Sequence, residues 1–318
     1  YEIMPSLVGS EMCIRDSVAP DRFLFDEMVI SPQGIIAVPK KERMDNAEVK
    51  RVELHCHTKM SKMDGVTPME ELVETAIKWG HKALAITDHG VVQAFPFCFD
   101  VAEKADIKLI FGMEGYLMND DGHDIDLEPT DTIKKSRIKK VKNNHIIILA
   151  KNETGLRNLY KLVTISHLRY LHKRPMLPRE VIEEYREGLI LGSACEAGEL
   201  YRAILAGRTD EELEKIASFY DYLEIQPIGN NEFMFDKEKG AYANINTWDD
   251  LKEMNRRIIR LGEKYNKPVC ATCDVHFLDP EDDIYRTILL AGKKMDDGKQ
   301  PPLYFRTCLL YTSPSPRD

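Results

Sequence analysis

The sequence predicts an α/β protein organised as a closed or nearly closed barrel, with a doubly wound open sheet as the alternative. Three observations lead there. Seven apolar runs of strand length recur between Val52 and Thr272, helical patterns fill most of the intervals, and five of the seven runs lead into His, Asp, Glu or Cys. Alternating strands and helices imply mostly parallel pairing with right-handed crossovers. In such folds the chemistry gathers beyond the carboxyl ends of the strands.

The bulk composition sets limits. Over 318 residues, 43% hydrophobic and 31% charged content fits a soluble globular protein. No run of about eighteen apolar residues is present, so no membrane partner is expected. The formal net charge of −9 argues against whole-protein attraction to nucleic acid. Holding a phosphate would take a local basic patch or a bound metal. The cysteines at 13, 56, 98, 195, 270, 273 and 308 do not form a disulfide-like framework, which points to a reducing, cytoplasmic compartment. Cys270-Ala-Thr-Cys273 has no second pair and lies in an apolar run, so it reads as buried strand cysteines.

Taken in order, residues 1–21 read as a non-native, disordered leader and 307–318 as a non-native tail. Their stretches SLVGSEMCIRDS and CLLYTSPSPRD resemble translated sequencing-adapter sequence. Residues 22–43 read as one or two strands of a preceding domain plus a charged connector, and 44–306 as the main domain. The strand candidates there are Val52–His55, Ala83–Thr87, Leu109–Phe111, Ile146–Ala150, Leu189–Gly192, Tyr222–Ile225 and Val269–Thr272. Helical patterns cover Pro68–Lys78, Val91–Lys104, Thr154–His167, Arg179–Tyr185, Glu211–Phe219 and Trp248–Tyr265. Thr67 is placed as an N-cap ahead of Pro68.

The strand ends carry the functional signal. The first run delivers His55 and His57, on one side of the pleat if the strand continues, with Asp64 on the loop behind them. The second ends in Thr87-Asp88-His89-Gly90, the third reaches Glu114, the fifth Cys195, and the seventh Asp274 and His276. His145 stands apart because it precedes its strand. The other histidines (81, 123, 167 and 172) fall where ordinary solvation suffices. Each rim residue alone has a bland structural explanation, but repetition at successive strand ends argues for a site. Nine donors are too many for one tetrahedral zinc. They suit two to three divalent ions on mixed imidazole and carboxylate, favouring zinc, manganese or iron. Such a cluster suits phosphoester hydrolysis. Asp88 could orient an imidazole or cap a helix.

His55-Cys-His57, Ser61 to Gly65, Thr87-Asp88-His89-Gly90, Gly112-Met-Glu114, His145 and Asp274-Val-His276 resemble the successive motifs of the PHP (polymerase and histidinol phosphatase) family. Stretches such as KWGHKALAITDHGVVQAFP and NKPVCATCDVHF are similar to the PHP domain of PolC-type bacterial DNA polymerase III. The resemblance covers about Met44 to Arg306. It implies a distorted (βα)7, TIM-like barrel with a trinuclear metal cluster on His55, His57, Asp64, His89, Glu114, His145, Cys195, Asp274 and His276. Asp64, His89 and Asp274 are the expected catalytic members. It further implies phosphoesterase and possible 3′–5′ exonuclease activity, DNA as partner, and the polymerase III α subunit and replisome as assembly. Residues 22–43 would then be the tail of an oligonucleotide/oligosaccharide-binding (OB-like) domain. The alternatives are a metal-stabilised scaffold without turnover and a stand-alone phosphatase. One departure stands out. PolC-type enzymes typically carry an exonuclease between the positions of Glu114 and His145, where this chain has about thirty residues including the basic run Lys134–Lys142.

Overall fold

The computed structural model describes residues 10–20, 28–39, 42–119, 142–235, 242, 244–292 and 300–312. Two compact units are distinguished, Tyr1–Met44 and Asp45–Asp318. In the first, β1 (Ser10–Pro20) pairs antiparallel with β2 (Met28–Pro39), with a register shift at Arg15/Asp16. Of residues 1–21, read above as a leader, 10–20 form this first strand. The apolar run Ile35-Ile36-Ala37-Val38 lies within β2, paired with residues 11–14 of β1.

The second unit is a ring of seven strand positions. Segment 53–57 lies between β3 (Ala83–Ile86) and the residues around Val275. Ala85 N donates to Glu53 O and Thr87 N to Cys56 O, both at 2.8 Å, while His57 N donates to Val275 O at 2.8 Å. β3 runs parallel to β4 (Lys108–Asn119), and β4 runs antiparallel to β5 (Lys142–Ala150). β5 is in turn antiparallel to β8 (Leu189–Gly192), which bridges to Tyr222 ahead of β9 (Leu223–Ile225). β9 pairs parallel with β10 (Val269–Ala271), and the Cys56–Val275 bridge closes the ring. A small hairpin, β6 (Leu171–His172) and β7 (Arg174–Leu177), attaches to β4 through β7.

The reversed β5 is the departure from parallel pairing, and it explains the exceptional histidine. An antiparallel strand presents its amino end where its neighbours present their carboxyl ends, so His145 reaches the shared rim from the start of β5. β4 continues past the expected Phe111 because Gly112 lets β5 approach. A Cβ there would lie 2.6 Å from Leu149 Cδ2 and 2.8 Å from the Ile148 carbonyl oxygen.

Strand alternation sorts the core. Ile146 and Ile148 join the large cluster shared with Leu72, Leu159, Leu213 and Ile258 of the surrounding helices. Ile147 and Leu149, on the same side of β5 as His145, pack with Ala85, Ala194 and Tyr222 inside the ring. The helices are α1 (Met69–Lys78), α2 (Phe95–Ala102), α3 (Glu153–Leu168), α4 (Arg179–Glu184), α5 (Glu199–Leu205), α6 (Asp210–Phe219), α7 (Trp248–Lys264), α8 (Asp283–Gly292) and α9 (Cys308–Thr312). Capping boxes at Thr209–Glu212 and Thr247–Asp250 start α6 and α7 where acid-rich first turns announce them. Thr67 does not cap α1. Pro68 holds that position, and Thr67 is buried with its hydroxyl unbonded. His81, assigned above to a solvated helix end, is instead buried against Asp45 at 3.2 Å. Cys308, in the presumed tail, is also buried, and its backbone N–H donates to Asp45 Oδ2. No described helix is long and apolar enough to cross a membrane.

Candidate metal centre

The nine side chains singled out by sequence gather at the rim beyond β3, β8 and β10, beside Glu114 of β4 and His145 of β5. Asp64, His89, Glu114, His145, Cys195, Asp274 and His276 line a cleft of about 190 Å³, and His55 and His57 stand against its Glu114 and Asp274. Glu114 is the hub. Its Oε1 lies 3.2 Å from His55 Nε2 and 2.7 Å from His145 Nδ1, and its Oε2 lies 2.6 Å from His89 Nδ1 and 3.6 Å from His57 Nε2. Asp274 Oδ1 stands 3.1 Å from His55 Nε2 and 3.3 Å from His57 Nε2. Asp64, on the other side, reaches His89 Nε2 at 3.4 Å and His276 Nε2 at 3.7 Å. Cys195 Sγ lies 3.6 Å from His145 Nδ1 and 3.7 Å from Glu114 Oε1. Two rim residues hold left-handed backbone, Ala194 at φ 60° and Asp274 at φ 56°. Such conformations cost on the order of 1–3 kcal/mol in non-glycine residues and concentrate at functional sites.

The orientation of the imidazoles tests whether this set fits metal ions. His55 Nδ1 is engaged by Glu224 Oε1 at 2.7 Å, His57 Nδ1 by Ser61 Oγ at 2.9 Å, and His276 Nδ1 by the Asp274 carbonyl at 2.9 Å. Each ring therefore turns its Nε2 toward the cleft, the arrangement in which an outer partner fixes the tautomer of a ligating histidine. His55 Nε2, His57 Nε2, Glu114 Oε2 and Asp274 Oδ1 are fully buried and find no well-directed hydrogen bond, only contacts with one another and with rim atoms such as His89 Nδ1. Buried lone pairs left unused in this way cost stability unless a ligand takes them. Ligand-grade groupings within 4.8 Å include His55/His57/Glu114, His57/His89/His276, His89/Glu114/His145 and Cys195/Glu196/Asp274. Mixed imidazole and carboxylate donor sets of this type fit divalent metal ions.

Electrostatics agree. Burial opposes charge on His55, but Asp274, Glu224 and Glu114 outweigh it and hold its pKa well above the ordinary value. Burial likewise opposes charge on His89, yet Glu114 and Asp64 push it up to about 10. Burial together with the neighbouring His89 and His276 drives His57 the other way, well below. Burial opposes ionisation of Glu114 and Asp274, but the surrounding imidazoles prevail and hold both below the usual carboxylate range. The centre is thus a cation-seeking cavity that protons partly fill. Cys195 keeps its proton there, since burial and the Glu196 and Glu114 carboxylates push its thiol well up.

Several residues around the nine were not picked out by sequence. Glu224 is buried and accepts from Thr272 Oγ1 at 2.7 Å and Gln226 Nε2 at 3.0 Å as well as from His55. A carboxylate inside an apolar strand run was the available signal. Glu53, also buried, accepts both Arg51 Nη1 and the Cys273 amide, tying the first strand to the last. Arg286 of α8 grips Asp64 Oδ1 through Nη2 at 2.6 Å and Nε at 3.1 Å. It lies 222 residues away in sequence and carried no local signal. Asp88 neither touches an imidazole nor caps a helix. It accepts from Thr58 and Ser61, and Ser61 Oγ in turn meets His57 Nδ1. The expected basic run Lys134–Lys142 lies outside the described residues except at Lys142.

With this geometry in view, the sequence profile of the PHP domain family matches residues 53–228, more than half of the chain. The chain belongs to the PHP domain family. Its matched span begins at the strand carrying His55 and includes six further members of the rim set. The relatives include the PolC-type DNA polymerase III of Clostridium perfringens, 36% identical over 88% of this chain and 32% of that protein. The PolC-type polymerase III of Caldanaerobacter subterraneus is 31% identical over 96% of this chain and 35% of its own length. The chain therefore spans about a third of the curated relatives it matches. The Clostridium alignment runs over 465 residues, although 88% of this chain is only about 280, so the relative carries a long stretch with no counterpart here. Among solved structures, an amidohydrolase of Chromobacterium violaceum gives a TM-score of 0.40 at 11% identity, covering 71% of this chain and 87% of that one, a likeness too low to build on.

Proposed function

We propose that this PHP domain binds two to three divalent ions on the nine rim side chains and hydrolyses phosphoesters, with a DNA 3′ end as substrate. It would do so within a PolC-type polymerase III α subunit of the cytoplasmic replisome. The observation that carries the proposal is the set of buried imidazole and carboxylate atoms, without well-directed hydrogen bonds, converging on one cleft. Divalent ions held there would polarise phosphoryl oxygen and lower the pKa of water.

The chain's own residues divide the work. His55, His57, Glu114 and Asp274 form the deep wall, with Glu114 offering one oxygen to each side. Glu224, Ser61 and the Asp274 carbonyl hold the rings in orientation, so little reorganisation is needed when a ligand enters. Asp64 and His89 stand at the mouth, where both remain partly exposed. Asp64, His89 and Asp274 are the residues assigned to catalysis. Arg286 places a fixed positive charge on the cleft wall beside Asp64.

The test is elemental analysis of purified protein, paired with assays on a chromogenic phosphodiester and a 3′-labelled primer, with and without manganese. Two to three metals per chain and hydrolysis abolished by Asp274→Asn support the proposal. Stoichiometric metal without turnover on either substrate would instead favour a metal-stabilised scaffold. Absence of bound metal would refute both.

A further inference from the structure

We propose that the β6–β7 hairpin is a binding surface for the sugar-phosphate backbone of single-stranded DNA, a short way along the strand from the group that enters the metal cleft. The inference deepens the phosphoesterase reading and rests on it for the position of the reacting group.

The stretch His167–Pro175 contains Arg169, Lys173 and Arg174 and no carboxylate, in a chain whose formal charge is −9. All three cations are exposed. Among the described residues, no carboxylate forms an ion pair with Lys173 or Arg174. Lys173 takes a left-handed conformation, φ 59°, at the tip between paired His172 and Arg174. This tight turn leaves two adjacent cations exposed on a two-stranded support, Lys173 at the tip and Arg174 beside it. A cationic site spaced along a surface is what a polyanion needs, and its effect is local even where net charge is negative.

The hairpin is also fixed to the metal centre. The Arg174 guanidinium lies 4.9 Å above the Tyr116 ring. That ring is stacked 6.0 Å from His89 and meets His145 edge-on at 5.4 Å. Arg174 therefore stands within about 11 Å of the His89 ring. Pro175 closes against the loop carrying His89, since a Cβ on Gly90 (φ 65°) would fall 2.6 Å from Pro175 Cγ. That separation is longer than a single phosphate ester and lies within the reach of a short stretch of one strand. A small phosphate ester would not reach the hairpin. A polynucleotide would.

The experiment uses the full chain and a 5′-fluorescein oligothymidylate, with binding read by anisotropy over a series of potassium chloride concentrations. Hydrolysis of a chromogenic phosphodiester is measured in parallel. The K173A/R174A double variant is expected to bind more weakly and to lose about 1.4 from the slope of log K against log salt, since each single-strand phosphate contact contributes about 0.7. R174K, which keeps the charge, should retain the wild-type slope. Small-ester hydrolysis should be unchanged in both, which also shows the fold intact. An unchanged slope in the double variant overturns the proposal, as does absent oligonucleotide binding by the wild type or equal competition by polyglutamate. Parallel loss of small-ester hydrolysis in the double variant would make the hairpin structural and overturn it too. If the wild type hydrolyses nothing while its oligonucleotide binding depends on Lys173 and Arg174, the DNA surface stands and the phosphoesterase reading fails.

Discussion

Glu224 offers the sharpest separation of orientation from charge. Its Oε1 accepts three hydrogen bonds, from His55 Nδ1 at 2.7 Å, Thr272 Oγ1 at 2.7 Å and Gln226 Nε2 at 3.0 Å, while Oε2 has no partner. In Glu224→Gln the amide oxygen can take the place of Oε1 and keep all three donors, so only the charge is lost. The amide NH2 then occupies the unpartnered Oε2 position, a desolvation cost of about 1–3 kcal/mol in folding stability. Metal affinity should fall about 10-fold, the lower end of the range for outer partners of ligating histidines, or about 1.4 kcal/mol. Glu224→Ala also leaves three buried donors unsatisfied and releases the His55 ring. Its affinity should fall nearer 100-fold, with about 3–5 kcal/mol of stability lost, as for removal of one member of a buried charged pair. Equilibrium dialysis with elemental analysis reads the affinity, and urea denaturation of metal-stripped protein reads the stability. Wild-type metal affinity in both folded variants would show that Glu224 orients no ligand and that the centre is misassigned.

Metal uptake at neutral pH should release protons, because the raised His55 and His89 hold them in the metal-free protein. Affinity should therefore climb as pH rises toward about 10, with proton release read by titration calorimetry in buffers of different ionisation heat; uptake without release would contradict this. The sign for metal-free stability is opposite. The His89 contribution is full below the ordinary histidine value and is lost as pH rises through about 10, which pH-dependent urea midpoints would show. Cys195→Ser should weaken zinc more than manganese in competition dialysis, since thiolate is the softer donor, and equal weakening would remove Cys195 from the ligand set. Arg286 and Asp64 should couple by about 1–3 kcal/mol in a double-mutant cycle with Arg286→Gln and Asp64→Asn, given their two charge-assisted bonds and low exposure. A coupling near zero would mean the pair is incidental.

The sequence by itself determined which side-chain types gather at the rim and in what order. Runs such as Ala83–Thr87 and Leu189–Gly192 can be recognised as strand candidates from local pattern, and polar residues directly after them then lie at the strand ends. That reasoning placed His55, His57, His89, Glu114, Cys195, Asp274 and His276 near one another from spacing alone. Only the tertiary structure decided how His145 joins them, because strand direction depends on which neighbour β5 pairs with, a long-range choice that local pattern does not encode. The same holds for Arg286 on Asp64, for Glu224 behind His55 and for the hairpin beside Tyr116. Each is a contact between segments distant in the chain, and each was set by packing around the closed ring. Thr67 and His81 show the converse, where sound local rules for capping and solvation yielded to burial.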